Sequence, residues 1–400
     1  AAPSSRSTRH SDRSLAPLSW AAVGLFMRRG AAKGGWIAVE DWEHTFNRRW
    51  VRRPDRLMED PFGDATVRAH MHPGYQSPDV IGPSGPVDPA LTLLGVSTPE
   101  GRPLAVLANY SQHYYGSPLL SSDYQGRFGV HLGAALGAPS GFVAIFSQGT
   151  SGDLMWMDYA SAKDERGYDA YARELAARAA DAWGGIRWQE KAEVRSAERG
   201  LRLRYRVPEA ARLAWARRIT SSMGDRLPAT LPEVYAWEAM HLHERQETEL
   251  RLQAVRVGDL AITALPNEVF AITGLKLKAQ SPLPLTMNIS LANGAEGYIP
   301  PPEQHVLGGY TTWPARTAGL EPQAEPRIVE TLLGLLEEVS GKPRRPMPTP
   351  RGPYADAVLA SRPAAYWRLD DIVVPHARDW SGHDRTALFE DGIALHLPGA

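Results

Sequence analysis

Side chains able to bind a metal or move a proton fall in four separate segments of the sequence. The first, 109–116, contains His113 and directly follows an apolar run typical of a buried strand. A neutral imidazole at the end of a strand in an open sheet is a candidate metal ligand. The alternative, which the pattern alone favours, is a histidine that is simply hydrogen-bonded among the neighbouring tyrosines.

The second and third segments also follow predicted strands. Residues 146–155 are rich in small side chains and include Gly152 and Asp153. Their backbone N–H groups can cradle an oxyanion, although a tight turn explains the same composition. In the third segment Glu268 follows a Leu-Pro-Asn sequence. This carboxylate is either a metal ligand or a favourable charge in the first turn of the next helix, where we expect it to lie.

The fourth segment is a Gly- and Pro-rich loop that carries two tyrosines, Tyr298 and Tyr310. A phenolate oxygen can bind zinc, and a second phenol can donate a hydrogen bond to a substrate oxygen. Half-buried tyrosines in a surface loop are the alternative. The sequence has no cysteine, which excludes disulfides, thiolate ligands and a cysteine nucleophile.

Helices and strands must place these segments. Period-two and continuous apolar runs predict strands at 103–111, 142–147 and 201–207, and a hairpin formed by 250–257 and 260–265. Capping signals and apolar faces predict helices at 164–183, 208–220 and 326–339. The order indicates a mixed α/β (α+β) catalytic-type domain.

Composition limits the class of partner. The net charge of −1 gives no reason to expect nucleic acid or an anionic membrane as a partner. No apolar run reaches the roughly 18 residues of a membrane span, and 15–27 is interpreted as a core segment. We expect 1–34 to be poorly ordered or truncated, and 35–341 to form the main domain.

The order of these features resembles the neutral/alkaline, non-lysosomal ceramidases over roughly 38–340. The resemblance rests on His113 after a strand, Glu268 after Leu-Pro, and Tyr298 followed by Tyr310 at that family's spacing. It implies a zinc amidase in which His113, Glu268 and Tyr298 are metal ligands. It also implies that Tyr310 faces the substrate carbonyl.

The same resemblance places Gly152 and Asp153 in the catalytic site, and Asp123 and Ser151 beside the substrate. Met155 stands where the family has an essential serine, and a thioether cannot donate a proton. The family's His-Thr-His-Ser-Gly-Pro stretch is not found, so we expect the first ligand before residue 1 and an incomplete zinc site. A hydrolase of amides or esters is predicted; the alternative is a non-catalytic, lipid- or glycan-binding descendant.

A proline-rich linker, 342–353, precedes a second pattern at 354–400. The sequences 366–369 (Tyr-Trp-Arg-Leu) and 379–382 (Asp-Trp-Ser-Gly) resemble the opening of a laminin G-like, concanavalin A-like jelly-roll domain. This implies an exported protein (secreted, periplasmic or at the cell surface) with a glycan-binding appendage. Residues 354–400 are too few to close a two-sheet core, and we therefore expect this segment to be poorly ordered or only partly packed.

Overall fold

The computed structural model describes residues 32–118, 120–346, 352–369, 376–383 and 385–388. The helices are α1 (Asp123–Ala135), α2 (Tyr168–Trp183), α3 (Ala210–Met223), α4 (Leu231–Arg245), α5 (Ala271–Gln280), α6 (Pro302–His305), α7 (Ala324–Ser340) and α8 (Pro353–Ala360).

The strands of the first half of the chain are β1 (Lys33–Glu40), β2 (Phe46–Asn47), β3 (Arg49–Arg52), β4 (Ala69–Met71), β5 (Val80–Pro83), β6 (Ala90–Ser97), β7 (Pro103–Tyr110), β8 (Val143–Gln148) and β9 (Leu154–Met155). Those of the second half are β10 (Val194–Arg204), β11 (Glu247–Val257), β12 (Leu260–Ala264), β13 (Glu268–Val269), β14 (Leu285–Ile289), β15 (Tyr298–Ile299), β16 (His376–Ala377) and β17 (Ala387–Leu388). The predicted mixed α/β class is confirmed.

The first large sheet has the strand order β1-β6-β7-β8, in which β7 and β8 are parallel and the other pairs antiparallel. Side chains alternate between its two faces. Leu93 on β6 packs with Phe128 of α1 and Leu175 of α2. Its neighbour Leu94 points the other way, toward Met287 of the second sheet. Both faces of this sheet are therefore buried.

The second large sheet has the order β10-β11-β12-β14. The predicted hairpin is confirmed: Val257 pairs with Leu260, and Gly258 takes the left-handed conformation that the turn requires (φ +59°). Helix α7 covers the outer face of this sheet with a buried row that includes Leu332 and Leu336. The two sheets and their helices thus form four layers, and truncating a buried leucine such as Leu332 to alanine costs about 2–5 kcal/mol.

Most predicted elements are shifted by one to four residues at an end, and two differ more. The predicted strand at 201–207 overlaps the end of the longer β10, which begins at Val194 and ends at Arg204. Helix α4 was not predicted, although Thr230 and Glu233 form a complete capping box at its start. Helix α7 ends as predicted, with Gly341 left-handed at its C-cap (φ +67°).

The part of the chain after the predicted linker shows short elements only. Helix α8 precedes β16 and β17, which pair antiparallel. A laminin G-like jelly roll stays a prediction, and the core segment predicted at 15–27 lies outside the described residues. Among the described helices, none has the length and apolar character needed to cross a membrane.

Candidate active site

His113 is held at the carboxyl end of β7, where β7 and β8 run parallel. The loop that carries it is fixed by Asp123, whose carboxylate accepts N–H hydrogen bonds from Tyr115, Gly116 and Ser117 at 2.7–3.0 Å. The imidazole packs on the ring of Tyr114 and is 12% exposed. The strand end predicted from the sequence therefore does present this histidine.

Glu268 and Tyr298 come from the two short strands β13 and β15. These strands are parallel, and the two residues are directly paired in the register. The N–H of Glu268 also donates to the carbonyl of Gly297 at 2.9 Å. The prediction that Glu268 occupies the first turn of a helix was wrong: α5 begins at Ala271, after the extended Phe270.

The predicted residues converge. The Nε2 atom of His113 lies 4.0 Å from Oε2 of Glu268. The hydroxyl groups of Tyr298 and Tyr310 are hydrogen-bonded at 3.1 Å. Arg48 connects the two pairs, since its Nη2 lies 3.8 Å from Oε2 of Glu268 and donates to the Tyr298 hydroxyl at 3.3 Å. Residues from four distant segments thus form one polar cluster.

Arg48 was not predicted. It lies between β2 and β3, its side chain is 3% exposed, and its Nη2 also donates to the carbonyl of Gly152 at 2.8 Å. Its Nη1 approaches the sulfur of Met155 at 4.0 Å. In the sequence it stands in an arginine-rich stretch that is typical of a solvated surface, so only the tertiary structure reveals its position.

His72 was also not predicted as a site residue. It follows β4 with a left-handed backbone (φ 56°), and its Nδ1 lies 2.5 Å from the hydroxyl of Tyr159. Burial, with smaller contributions from Arg48 and His70, lowers its pKa to about 4. His70 lies on β4 and His72 directly after it, and this His-Met-His spacing is visible in the sequence.

Gly152 and Asp153, predicted to be catalytic, lie behind the cluster. A Cβ atom on Gly152 would come within 2.9 Å of the Glu268 carbonyl oxygen, so this segment packs directly on β13. Asp153 is 1% exposed and accepts hydrogen bonds from the N–H of Ala271 at 2.7 Å and from Asn47 at 2.8 Å. Burial raises the pKa of Asp153 to about 6, although the two hydrogen bonds act to lower it. Both residues position their neighbours.

Asp123 and Ser151, predicted to contact the substrate, are buried parts of the scaffold. Burial alone would raise the pKa of Asp123, but the backbone N–H groups that it accepts outweigh burial and hold that pKa below its usual range. Ser151 is fully buried, and its hydroxyl accepts a hydrogen bond from the Gln148 side chain at 2.9 Å. The carboxylate and the hydroxyl are both engaged in hydrogen bonds within the scaffold.

The protonation states follow from burial and charge. Burial, and next the positive charge of Arg48, lower the pKa of His113 to about 4. The imidazole is therefore neutral near pH 7, which is the form that accepts a proton or a metal. Burial, with Tyr310 and Glu268 nearby, raises the pKa of Tyr298 well above its usual value, although Arg48 opposes this.

Comparison of the fold with solved structures finds neutral ceramidases. A neutral ceramidase from Pseudomonas aeruginosa superposes with a TM-score of 0.52 at 15% identity, over 80% of this chain and 54% of that one. A ceramidase complexed with C2 gives 0.50 at 15% identity, over 80% and 56%. The chain shares the neutral ceramidase fold. It spans little more than half the length of these proteins.

Comparisons with family models and with curated proteins give no match. The likeness to the ceramidases, at 15% identity, therefore establishes the fold alone.

His113 and Glu268 present two possible zinc donors at close range. Oε2 of Glu268 is buried, and no described residue donates a hydrogen bond to it. Its 4.0 Å distance from Nε2 of His113 approaches the about 3.4 Å expected between two ligands of a tetrahedral zinc ion. No group of three His, Cys, Asp or Glu that could hold a metal occurs in the described chain. The Tyr298 hydroxyl, which contacts the same Arg48 guanidinium as Glu268, is the further oxygen next to this pair. The imidazole nitrogen of His113 and the carboxylate oxygen of Glu268 are donor types that zinc accepts.

Proposed function

We propose that this chain is a zinc-dependent hydrolase of N-acyl amides or related esters. The observation that carries the proposal is the buried Oε2 of Glu268, which faces the imidazole of His113 and accepts no hydrogen bond from a described residue, although Arg48 forms an ion pair with it at 3.8 Å. Tyr298 is its partner in the β13–β15 ladder. A buried carboxylate oxygen without a donor costs free energy unless a cation or donor satisfies it. The ceramidase-like fold favours the same assignment.

His113, Glu268 and Tyr298 would hold the metal. When bound, zinc supplies a water activated near neutral pH and polarises a carbonyl oxygen. Tyr310, whose hydroxyl is hydrogen-bonded to that of Tyr298, would donate a hydrogen bond to the substrate carbonyl oxygen. Arg48 supplies a fixed positive charge where negative charge develops, which is the arrangement that lowers acyl-transfer barriers most.

Met155 shapes the proposed substrate class. It stands where the ceramidases have a serine, and its sulfur contacts Arg48 at 4.0 Å. A thioether can neither donate a proton nor act as that serine does. We therefore favour an amide or ester substrate other than ceramide, with a lipid-like acyl group.

Met155 also favours a second candidate, a binding protein that keeps the scaffold without turnover. The resemblance of the tail to jelly-roll domains adds the proposal that the protein is exported and binds a glycan through that tail. Both candidates share the ligand set, and they differ in whether substrate is consumed.

The experiment measures zinc content by mass spectrometry, and hydrolysis of short N-acyl and ester substrates, for the wild-type protein and for Glu268→Gln and His113→Asn. We expect both variants to lose zinc and activity. Glu249→Gln, an exposed carboxylate on β11, is the matched control and should keep both. Unchanged zinc content in both site variants would disprove the metal site; zinc without hydrolysis would favour the binding protein.

A further inference from the structure

A cavity that has no lining residue in common with the His113 cluster lies between the start of α3, helix α4 and two loops. Its volume is about 230 Å³. Phe62, Leu242 and Pro314 form apolar walls, and Arg206 and Arg212 also line it. Two guanidinium groups in one small, largely apolar cavity need an explanation, because charged groups are rarely kept there without partners.

Arg206 is the more buried of the two. Its Nε is buried and has no hydrogen-bond partner, whereas its Nη2 donates to the carbonyl of Ala318. No carboxylate forms an ion pair with it in the described part of the chain. Burial alone lowers its pKa to about 10, so the group stays charged at neutral pH.

Arg212 is held over the ring of Phe62, with its guanidinium carbon 3.5 Å from the ring centroid. This contact fixes the side chain without neutralising its charge. Glu209 is the acidic residue that lines the cavity, and it forms an ion pair with neither arginine in the described structure. The cavity therefore carries an excess of positive charge.

The start of α3 adds to this potential. Glu209 is the N-cap residue, no side chain caps the helix, and the first turn contains no acidic residue. The free N–H groups of a first turn attract anions. Arg212 projects from this same turn, so the helix N-terminus and the guanidinium group both attract an anion into the cavity.

We propose that this cavity binds an aliphatic carboxylate, with the carboxylate between Arg206 and Arg212 and the chain against Phe62, Leu242 and Pro314. The site does not depend on the proposed hydrolase function, because it shares no lining residue with the His113 cluster. The apolar walls select an anion with a tail over inorganic phosphate, and the two charges select a carboxylate over the matching alcohol.

Isothermal titration calorimetry of the whole chain tests the site with sodium hexanoate, and with hexanol and inorganic phosphate as comparison probes. Hexanoate should bind more tightly than either. Arg206→Gln and Arg212→Gln should each weaken hexanoate binding about tenfold or more, because each removes a charge-assisted hydrogen bond. Arg217→Gln, an exposed arginine on the same helix, is the matched control and should leave the Kd unchanged.

Thermal melting separates binding from folding. If Arg206→Gln does not fold, Arg206→Lys and Arg212→Gln are used instead. Arg206→Lys keeps the positive charge, and Arg212→Gln changes a partly exposed side chain. Hexanol or phosphate binding as tightly as hexanoate would overturn the proposal. So would an unchanged hexanoate Kd in Arg212→Gln, or no heat of binding up to millimolar hexanoate.

Discussion

Glu268 and Tyr298 are directly paired residues of a two-strand parallel ladder, and their side chains lie on the same face. The pairing sets the separation of the two backbones, and so brings a carboxylate and a phenol to the same face without help from a ligand. It also explains how Glu268 and Tyr298, which come from irregular segments of the chain, keep a fixed position relative to each other. The backbone of β13 is in turn supported by Gly152, whose N–H donates to the Val269 carbonyl at 2.7 Å.

Tyr298→Phe tests the phenol as a ligand. The change removes the hydroxyl that contacts Tyr310 and Arg48 but keeps the ring packing. We expect zinc affinity to fall at least about 10- to 100-fold, the effect of losing even an outer partner of a metal site. Competition with a chromogenic chelator measures it. Tyr114→Phe, which changes an exposed tyrosine, should leave the affinity as it is.

Arg48→Met tests the electrostatics of the site. Arg48 is the second cause, after burial, of the low pKa of His113. Removing its charge should raise the pKa of His113 from about 4 toward, but not to, its ordinary value, because burial remains. Nuclear magnetic resonance titration of the imidazole C–H signals measures this shift. An unmoved pKa would mean that Arg48 does not face the histidine; Arg217→Met should have no effect in either case.

The residues that could be predicted from the sequence share one property: each follows a strand or stands in a Gly-rich loop. His113, Glu268, Tyr298 and Tyr310 all carry that local signal. Arg48 does not, since its burial depends on contacts with Gly152 and Tyr298, which are distant in sequence.

The roles predicted for the remaining residues were less reliable than their positions. Asp123 and Asp153 lie near the site as expected, but their carboxylates are used by backbone N–H groups. Sequence alone cannot tell a carboxylate that faces a substrate from one that closes a turn, because both follow a strand and both sit among small residues. The large sheets were easier to predict, since their apolar periodicity is local.

Asp123→Asn tests the loop that carries His113. The folded-state pKa of Asp123 is lowered, so its ionised form stabilises the fold above its unfolded value of about 3.9 and this contribution is lost as the pH falls. We expect the variant to lose about 1–3 kcal/mol of unfolding free energy at pH 7, and much less near pH 3. Urea denaturation at several pH values measures it. Asparagine tolerates the positive φ of 53° at this position, so a pH-independent loss would contradict the electrostatic explanation.

Gly152→Ala tests the support beneath the metal ligands. The added Cβ would lie 2.9 Å from the Glu268 carbonyl oxygen and 3.0 Å from that of Val269, closer than carbon and oxygen approach without strain. Backbone rather than a flexible side chain stands in the way, so β13 must shift. We expect a loss of about 1–3 kcal/mol of unfolding free energy, as for overpacked cores. Zinc affinity should fall with it, because Glu268 moves relative to His113.

Gly141→Ala is the matched control, since a Cβ there meets no atom within 4 Å. It should change neither the thermal midpoint nor the zinc affinity. If Gly152→Ala loses stability but binds zinc as the wild type does, then β13 does not set the distance between Glu268 and His113. In that case the loop after β7, which carries His113, moves with the displaced carboxylate. The position of His113 then sets the distance between the two ligands.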